Sequence, residues 1–562
     1  MKRVLMAAGL SLGVAAASWA TPASAPESVS SPADLVLQNG RFYPVSQPGA
    51  IEGSLAVREG RIVYLGPDEG VLPFLGSSTQ VIGLAGRTVV PGLIDAHSHL
   101  LGLGEALASV DLVGTASYAE VVDRVRAAAV DTPPGVWILG HGWDQNDWQA
   151  QSFPEHPPLS RAVPDHPVWL GRIDGHAALL NARAIDRLGI EAGVADPPGG
   201  RFQRTPQGAL TGVLIDAAMA VAGGLPQPTA ADLERRLLSA ADHCLARGLT
   251  TVTDMGVGNA GYEVYRRLRE QVDLPIRVAL FLTDDAALLE RFFVSGPVLD
   301  PEDRLTLRGV KLYMDGALGS RGAALIEPYL DDPANTGLLQ TTQDHVEAVC
   351  RRALETGFQV ATHAIGDRGN LLALDAYERC FDGANPGARF RLEHAQVMRL
   401  QDIERMARLG VIASMQPTHA TSDGPWAESR VGARRIEGAY AWRKVLAAGG
   451  RLALGSDFPV ESADPRLGLY AAVARRLAGG PEGGWLAEER LSREEALRGF
   501  TLDAAYSLFL EDEVGSLEVG KRADLVVFER DIMTVPPSEI PSVAVDWTLV
   551  DGAVAYQREG SR

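Results

Sequence analysis

Residues 88–100 read TVVPGLIDAHSHL, an apolar run that ends at Asp95 and is followed at once by His97 and His99. Residues two apart on a β-strand point to the same side of the sheet. Both imidazoles therefore leave the strand end in one direction, as two ligands of a single metal ion do. Two such histidines can equally be polar loop residues. The interpretation depends on what the rest of the chain places beside them.

The middle of the chain alternates apolar segments with amphipathic helical stretches such as 231–248 and 344–357. This alternation is typical of a parallel sheet, and eight strand–helix units in succession predict an α/β fold, a (β/α)8 TIM-type barrel. The eight candidate strands are 87–97, 249–255, 276–282, 309–315, 358–364, 390–396, 410–416 and 451–457.

The two ends of the chain have a different pattern, in which short apolar runs alternate with Gly, Pro and Asp turns. We expect residues 34–90 and 511–562 to form together one small β-sandwich, beside a barrel that spans 91–510. The segment between the first two barrel strands is too long for a single loop. It predicts the first barrel helix and an insertion, at about 130–225, that folds over the barrel mouth.

The N-terminus has the features of a targeting segment. Lys2 and Arg3 precede an apolar stretch over 4–17, and small residues follow it. This pattern predicts a Sec-type signal peptide over residues 1–25 and an exported protein, periplasmic or secreted. The apolar stretch is too short to span a bilayer comfortably, so we expect no stable membrane insertion after cleavage.

The composition is that of a globular protein, with 46% hydrophobic and 22% charged residues. The formal net charge of −19 argues against nucleic acid or an anionic membrane as a partner, because both require a basic surface. A small-molecule substrate is compatible with this charge, and so is a homo-oligomer.

Chemistry in a barrel of this type is located at the carboxyl ends of the strands. Each residue found there has other uses, since a histidine can be a buried hydrogen-bonding group, a lysine can form an ion pair and an Asp before a turn can cap it. Their convergence at five strand ends predicts a metal site. The six candidate ligands are His97, His99, Lys311, His363, His394 and Asp457.

The segments that carry these residues resemble the amidohydrolase superfamily, whose members join a metal-containing barrel to a small β-sandwich made from both chain ends. The resemblance covers almost the whole chain after the predicted signal peptide. The matching motifs are PGLIDAHSH, VKLYMDGALGSR, ATHAIGDRG, RLEHAQ, LGSDFPVE and GSLEVGKRADLVV. Within the superfamily, DGALGSR, HAIGDRG and AYAWRKVLAAGGRLALGSDFPVE are similar to the N-substituted formamide deformylase branch.

The resemblance implies two divalent metal ions and a role for each ligand. His97, His99 and Asp457 would hold one ion, and His363 and His394 the other. Lys311, carboxylated by CO2, would bridge them, because only a carbamate and not an ammonium group can bind a cation. Zinc suits these ligands, and iron, manganese and nickel also tolerate them. A hydroxide shared by two metals would attack the substrate.

In this scheme Asp457 is the catalytic acid–base, which takes the proton of the hydroxide and delivers it to the leaving nitrogen. Polar and aromatic residues in segments that should overhang the barrel mouth are candidate substrate contacts, although each can also be a structural hydrogen-bonding group or a core aromatic. These candidates are His176, Arg321, Arg368, His419, Arg435 and Trp143, with Trp148 and Trp426 as further possible pocket aromatics.

The function that these expectations favour is metal-dependent hydrolysis of a non-peptide C–N bond in an amide, a formamide or a cyclic amide. One alternative is a lactonase, another esterase or a ring deaminase on the same scaffold. Ring deaminases of the superfamily generally use one metal and lack the lysine, so Lys311 disfavours them, but it does not separate amides from esters. The other alternative, a non-catalytic exported binding protein, would usually lack a ligand, and none is missing.

Overall fold

Eight parallel strands follow one another around a nearly closed barrel in the computed structural model, which describes residues 31–271, 274–383, 387–477, 480 and 482–561. Every neighbouring pair along this path is parallel. The predicted TIM-type barrel is confirmed, while the predicted signal peptide lies outside the described residues. Barrel strands 1 to 8 are Leu93–Asp95, Leu249–Val257, Arg277–Leu282, Leu305–Tyr313, Gln359–Ala364, Arg391–His394, Ile412–Met415 and Leu452–Leu454.

Barrel strands 1 and 8 meet at the seam of the barrel just beyond their carboxyl ends. The amide of Ala96 donates to the carbonyl of Leu454 at 3.1 Å, and the amide of Asp457 donates to the carbonyl of His97 at 2.7 Å. One of the two backbone hydrogen bonds at the seam therefore joins His97 and Asp457, two of the residues that were predicted to bind metal.

Helices connect the strands and cover the outside of the barrel. The helix Ala230–Leu245 begins with a reciprocal capping box between Thr229 and Asp232, and it buries Leu237 and Cys244 against the barrel. None of the helices in the described part of the chain combines the length and apolar character needed to cross a bilayer. The α-helices are Leu100–Leu107, Tyr118–Asp131, Pro157–Ala162, Ala182–Arg187, Ala230–Leu245, Asn259–Gln271, Ala286–Ser295, Gln343–Thr356, Asp367–Cys380, Leu400–Arg408, Pro417–Asp423, Ala427–Ile436, Trp442–Ala447, Pro465–Ala474, Arg493–Gly499 and Leu502–Ser507.

Both ends of the chain contribute to one mixed sheet of eight strands, the terminal sheet. The strand Thr88–Pro91 joins the two contributions, because it pairs with Leu35–Phe42 on one side and with Leu525–Phe528 on the other. These strands form a single hydrogen-bonded sheet, and a two-layered sandwich stays a prediction. The other strands of the terminal sheet are Ile51–Arg58, Arg61–Gly66, Gln80–Gly83, Val545–Val550 and Ala553–Gln557.

The predicted first barrel strand, 87–97, is divided between two sheets. Thr88–Pro91 belongs to the terminal sheet, and only Leu93–Asp95 belongs to the barrel. Gly92 lies between them so close to Thr250 that a Cβ atom there would lie 2.1 Å from the threonine Oγ1. The chain thus changes sheets at a residue where only glycine fits.

The insertion between barrel strands 1 and 2 forms a sheet of its own with six strands. Helix Tyr118–Asp131 packs on this sheet through Val121 and Val125, in a core separate from that of the barrel. The six strands are Val110–Asp111, Ile138–Trp143, Val168–Arg172, Ala177–Leu180, Gly200–Arg204 and Leu210–Asp216.

Candidate metal centre

The barrel seam brings together the first group of predicted ligands. The Nε2 atoms of His97 and His99 each lie 3.3 Å from Oδ1 of Asp457. His97 and Asp457 are buried, and His99 is partly open to the cavity above. One nitrogen or oxygen from each residue thus converges on a small volume with the spacing that a metal ion requires.

A second group shares the same carboxylate. Nδ1 of His394 lies 3.9 Å and Nε2 of His419 lies 3.8 Å from Oδ2 of Asp457. His419, which the sequence suggested as a substrate contact, is therefore within reach of a metal ion at this position. It follows barrel strand 7, in the first turn of the helix Pro417–Asp423, where it is buried.

Lys311 and His363 complete the set of predicted ligands. The Nζ atom of Lys311 lies 3.1 Å from Nε2 of His97, and the ring centroid of His363 lies 4.6 Å from that of His394. Both side chains are buried. The Nε2 atom of His363 lies 3.3 Å from the carbonyl oxygen of Gly316, in the loop after barrel strand 4. All six predicted ligands therefore lie in one cluster at the carboxyl end of the barrel.

The backbone at two of these residues has a conformation that side chains rarely adopt. His394 has a φ of 71° and Asp457 a φ of 63°. Positive φ at residues other than glycine is costly, and it is found mainly where the surrounding structure holds a functional group in place. Here it turns the chain sharply at the ends of barrel strands 6 and 8, beside the shared carboxylate.

Arg391 and Glu393 form a buried ion pair beneath the centre that the sequence analysis did not predict. Oε2 of Glu393, the residue before His394, binds Nδ1 of His97. Arg391 donates to both oxygens of Glu393. Burial alone would raise the pKa of Glu393, but Arg391 and His97 hold it well below its usual value. The signal in the sequence was the alternation in RLEH, which places Arg391 and Glu393 on one side of barrel strand 6.

Other ring nitrogens are also held by groups that the sequence did not single out. Nδ1 of His99 lies 3.0 Å from the carbonyl oxygen of Met255, and Nδ1 of His394 lies 2.9 Å from Oε1 of Gln416. Such partners fix the ring and leave the opposite nitrogen, Nε2, available for a metal. Backbone acceptors carry no signal in the sequence.

Three further carboxylates support the loops around the centre. Asp254 accepts from the amide of Leu101 and from the hydroxyl of Tyr265 at 2.6 Å. Asp95 accepts from Ser456 across the seam. Asp315 accepts backbone amides from the loops after barrel strands 4 and 5. Burial raises the pKa of each of these three carboxyls to about 7.

The cluster fits a divalent metal pair on its own chemistry. Oδ1 of Asp457 and Nε2 of His419 are buried and make no hydrogen bond within the described residues, which is costly for a polar atom unless something else binds it. Burial, opposed by Glu393 and Asp457, lowers the pKa of Lys311 to about 8. A neutral amine is the form that combines with CO2, so this lysine suits a carbamate.

A cavity of about 1420 Å³ lies above the cluster and opens to solvent. Its floor is formed by the ligand residues, and its walls come from the insertion and from the loops after the barrel strands. Arg172 and His176 reach it from the insertion, and Trp426 and Glu461 from the barrel side. The insertion therefore contributes directly to the space in which a substrate would bind.

Of the six candidate substrate contacts, His176 and His419 line this cavity and four do not. Trp143 is completely buried in the insertion, where its indole donates to the carbonyl of Leu170 at 2.8 Å and packs beside Trp148. It is a core aromatic, and so is Trp148.

The three arginines are directed elsewhere. Arg321 pairs with Asp331 at 2.8 Å, Arg435 donates to the carbonyl of Glu327 at 2.7 Å, and Arg368 is exposed on the helix after barrel strand 5. None of the three lines the cavity, and Arg321 and Arg435 instead bind a loop carboxylate and a loop carbonyl. Substrate binding by these three residues and by Trp143 therefore stays a prediction.

Comparisons with known proteins agree with this arrangement. The chain is 35% identical to "Protein LONG AFTER FAR-RED 3" of Arabidopsis thaliana over 96% of this chain and 94% of that protein. It is 30% identical to the N-substituted formamide deformylase of Arthrobacter pascens over 94% of this chain and 99% of that enzyme. A metal-dependent hydrolase from Pyrococcus furiosus of known structure superposes with a TM-score of 0.70 at 32% identity, covering 89% of this chain and 100% of that one.

A family model matches most of the chain as well, over residues 80–556. That span begins in the terminal sheet, includes every ligand of the cluster and returns to the terminal sheet. With the barrel, the shared carboxylate and this match in place, the chain belongs to the amidohydrolase family and is a metal-dependent hydrolase.

Proposed function

We propose that this protein hydrolyses a C–N bond in a small non-peptide amide, formamide or cyclic amide. The observation that carries the proposal is the unpartnered Oδ1 of Asp457, held 3.3 Å from Nε2 of both His97 and His99 at the floor of an open cavity. Family relatives that act on C–N bonds, the formamide deformylase and more distantly the adenine deaminases, support the same class of reaction.

In this proposal His97, His99 and Asp457 would hold one divalent ion, and His363 and His394 would hold a second. Lys311, as a carbamate, would bridge them. Zinc suits imidazole and carboxylate ligands, and iron, manganese or nickel would also fit. When bound, such a pair polarises a carbonyl group and lowers the pKa of a shared water molecule.

Asp457 performs the proton transfer in this proposal. Its carboxylate accepts the proton of the attacking water and returns it to the leaving nitrogen, so that water and an amide become a carboxylic acid and an amine. The imidazoles of His97 and His99 hold the carboxylate in position. His176 and His419, which line the cavity, are the proposed substrate contacts.

The test is a panel of formamides, N-acyl amines, hydantoin-like rings and lactones, assayed with zinc or manganese added. Turnover of an amide, lost in Asp457→Asn while the metal content and melting temperature stay normal, supports the proposal. Turnover of lactones alone would favour an esterase. A binding protein would instead retain full ligand affinity in Asp457→Asn and show no turnover with any substrate.

Export is also part of the proposal, and it rests on the segment 1–25 in the sequence. The mass of the mature chain recovered from a bacterial periplasm tests it. Loss of about 25 residues is the expected result, and an intact N-terminus on protein retained in the cytoplasm would contradict it.

A further inference from the structure

The insertion carries a histidine–carboxylate pair at the wall of the cavity. His176 and Asp216 lie opposite each other at the ends of two antiparallel strands, where the amide of Asp216 donates to the carbonyl of His176 at 3.0 Å. Their side chains meet as well, with Nδ1 of the imidazole 2.6 Å from Oδ1 of the carboxylate. The register of these two strands therefore brings the pair together.

The carboxylate of Asp216 is held from two sides. Its side chain is completely buried, its backbone has a φ of 48°, and Nε2 of Gln340 donates to it at 3.2 Å. A Cβ atom added at Gly316 or Gly322 would lie within 3.0 Å of its Oδ2. The glycines of the DGALGSRG loop after barrel strand 4 thus make room for a carboxylate that the insertion presents.

The other ring nitrogen of His176, Nε2, is available to bind a ligand. No hydrogen bond to its Nε2 exists within the described residues, and the residue lines the cavity. The ring centroid of His176 lies 5.1 Å from that of His363, on barrel strand 5, whereas Asp457 lies at the seam between strands 1 and 8. In a closed barrel of eight strands these positions are on opposite sides, so His176 and Asp457 lie on opposite sides of the centre.

We propose that His176 is a further catalytic residue, which binds the oxygen of the scissile carbonyl group and stabilises the negative charge that develops there. Asp216 is its positioning residue, because a carboxylate at Nδ1 fixes the orientation of the ring. This inference rests on the proposed function, since it names the group opposite Asp457 in the same reaction. A donor aimed at a developing oxyanion contributes chiefly to kcat.

The first test is kinetic and compares single and double variants on the best substrate of the panel. We expect His176→Gln to lower kcat by about 100-fold with little change in KM, and Asp216→Asn to lower it by about tenfold through loss of orientation. The double variant should be no slower than His176→Gln alone, because Asp216 acts only through His176. Asp186→Asn, the same charge change on an exposed helix of the insertion, should have no effect.

The second test does not require turnover. Calorimetric titration of the zinc-loaded protein with methylphosphonate, a tetrahedral oxyanion, should give a dissociation constant about tenfold higher in His176→Gln. Asp216→Asn should also raise the dissociation constant of methylphosphonate, because it loosens the same contact of His176. The double variant should bind no more weakly than His176→Gln alone. The melting temperature and the metal content are measured for every variant.

The outcomes separate this inference from the proposed function. If no substrate of the panel is hydrolysed but methylphosphonate binding shows the non-additive losses, the proposed function fails and the pair still binds an oxyanion. If substrates are hydrolysed but the effects of His176→Gln and Asp216→Asn simply add in the double variant, the pair is structural and the inference is wrong. The same conclusion follows if the two variants change KM alone. If Asp216→Asn does not fold, rescue of His176→Gly by free imidazole decides, and a lack of rescue overturns the role of His176.

Discussion

Glu393 lies directly beneath His97, and its Oε2 binds Nδ1 of that imidazole in a contact where both side chains are completely buried. The arginine of the same strand, Arg391, neutralises the carboxylate. The contact fixes the ring of His97 so that Nε2 faces Asp457 and Lys311. The metal centre is therefore held in place from below by the packed interior of the barrel.

Glu393→Gln should weaken metal binding by about 10- to 100-fold, because a neutral amide cannot raise the basicity of His97 as a carboxylate does. Competition with a chromophoric chelator measures the affinity. The matched control is Asp546→Asn in the terminal sheet, a buried carboxylate that also pairs with arginines. Equal metal affinity in Glu393→Gln and the wild type would contradict this role.

Lys311→Ala should reduce the metal content from about two ions per chain to about one and abolish amide turnover, since the bridging ligand is lost. Elemental analysis of gently purified protein gives the stoichiometry. The proposal of two ions fails if the wild type carries one ion and the Lys311→Ala variant remains active. A mass increase matching CO2 on the wild type under native conditions would identify the carbamate directly.

Arg277→Met should lower the free energy of unfolding by about 3 to 5 kcal/mol, because it leaves the buried carboxylate of Asp524 without its arginine. Arg277 begins barrel strand 3 and pairs with Asp524 at 2.7 Å and with Asp551, both in the C-terminal part of the terminal sheet. Urea denaturation measures the change. Arg126→Met, which removes an exposed pair with Asp123, is the control and should cost less than about 0.5 kcal/mol. Similar losses in both variants would refute the argument.

The stability should fall as the pH rises through neutrality, in part because of Asp423. This carboxyl accepts from Gln396 and from the hydroxyl of Tyr440 at 2.7 Å, and burial raises its pKa from 3.8 to about 7. Because the pKa of Asp423 is higher in the folded protein than in the unfolded chain, its protonated carboxyl contributes fully to stability below about pH 4. This contribution is lost as the pH rises through about 7, where the buried carboxyl ionises.

Asp423→Asn keeps an acceptor for these donors but cannot ionise. Between pH 4 and pH 8 the free energy of unfolding should decrease in both proteins. The decrease should be smaller in Asp423→Asn than in the wild type, by about 1 to 2 kcal/mol. Asp186→Asn, at an exposed position, is the control for the loss of a charge. Parallel pH profiles for Asp423→Asn and the wild type would show that this carboxyl does not titrate in that range.

The barrel and its ligands follow from the sequence because both are encoded locally. Each strand is a short apolar run, and each ligand stands at or just beyond its carboxyl end, so the position of Lys311, His363 or Asp457 in the chain also gives its position in the fold. The closing of the barrel then brings together residues that no local pattern connects.

The rest depends on tertiary packing. Glu393 meets His97 only because strands 1 and 6 face each other across the barrel interior, and Arg321 faces Asp331 only because of the path of its loop. The sequence around a tryptophan such as Trp143 does not distinguish a side chain that packs in a core from one that lines a pocket. The division of the first strand at Gly92 depends on its contact with Thr250, which is equally invisible in the sequence.

The seam between barrel strands 1 and 8 has a consequence for the order of biosynthesis. His97 and Asp457 share one backbone hydrogen bond but lie near opposite ends of the chain, and the sheet beside them is completed by Ala553–Gln557. Contacts of such long separation form late in folding. A nascent chain therefore cannot assemble this centre until residue 457 has left the ribosome, so a fragment that ends before that residue lacks the shared carboxylate.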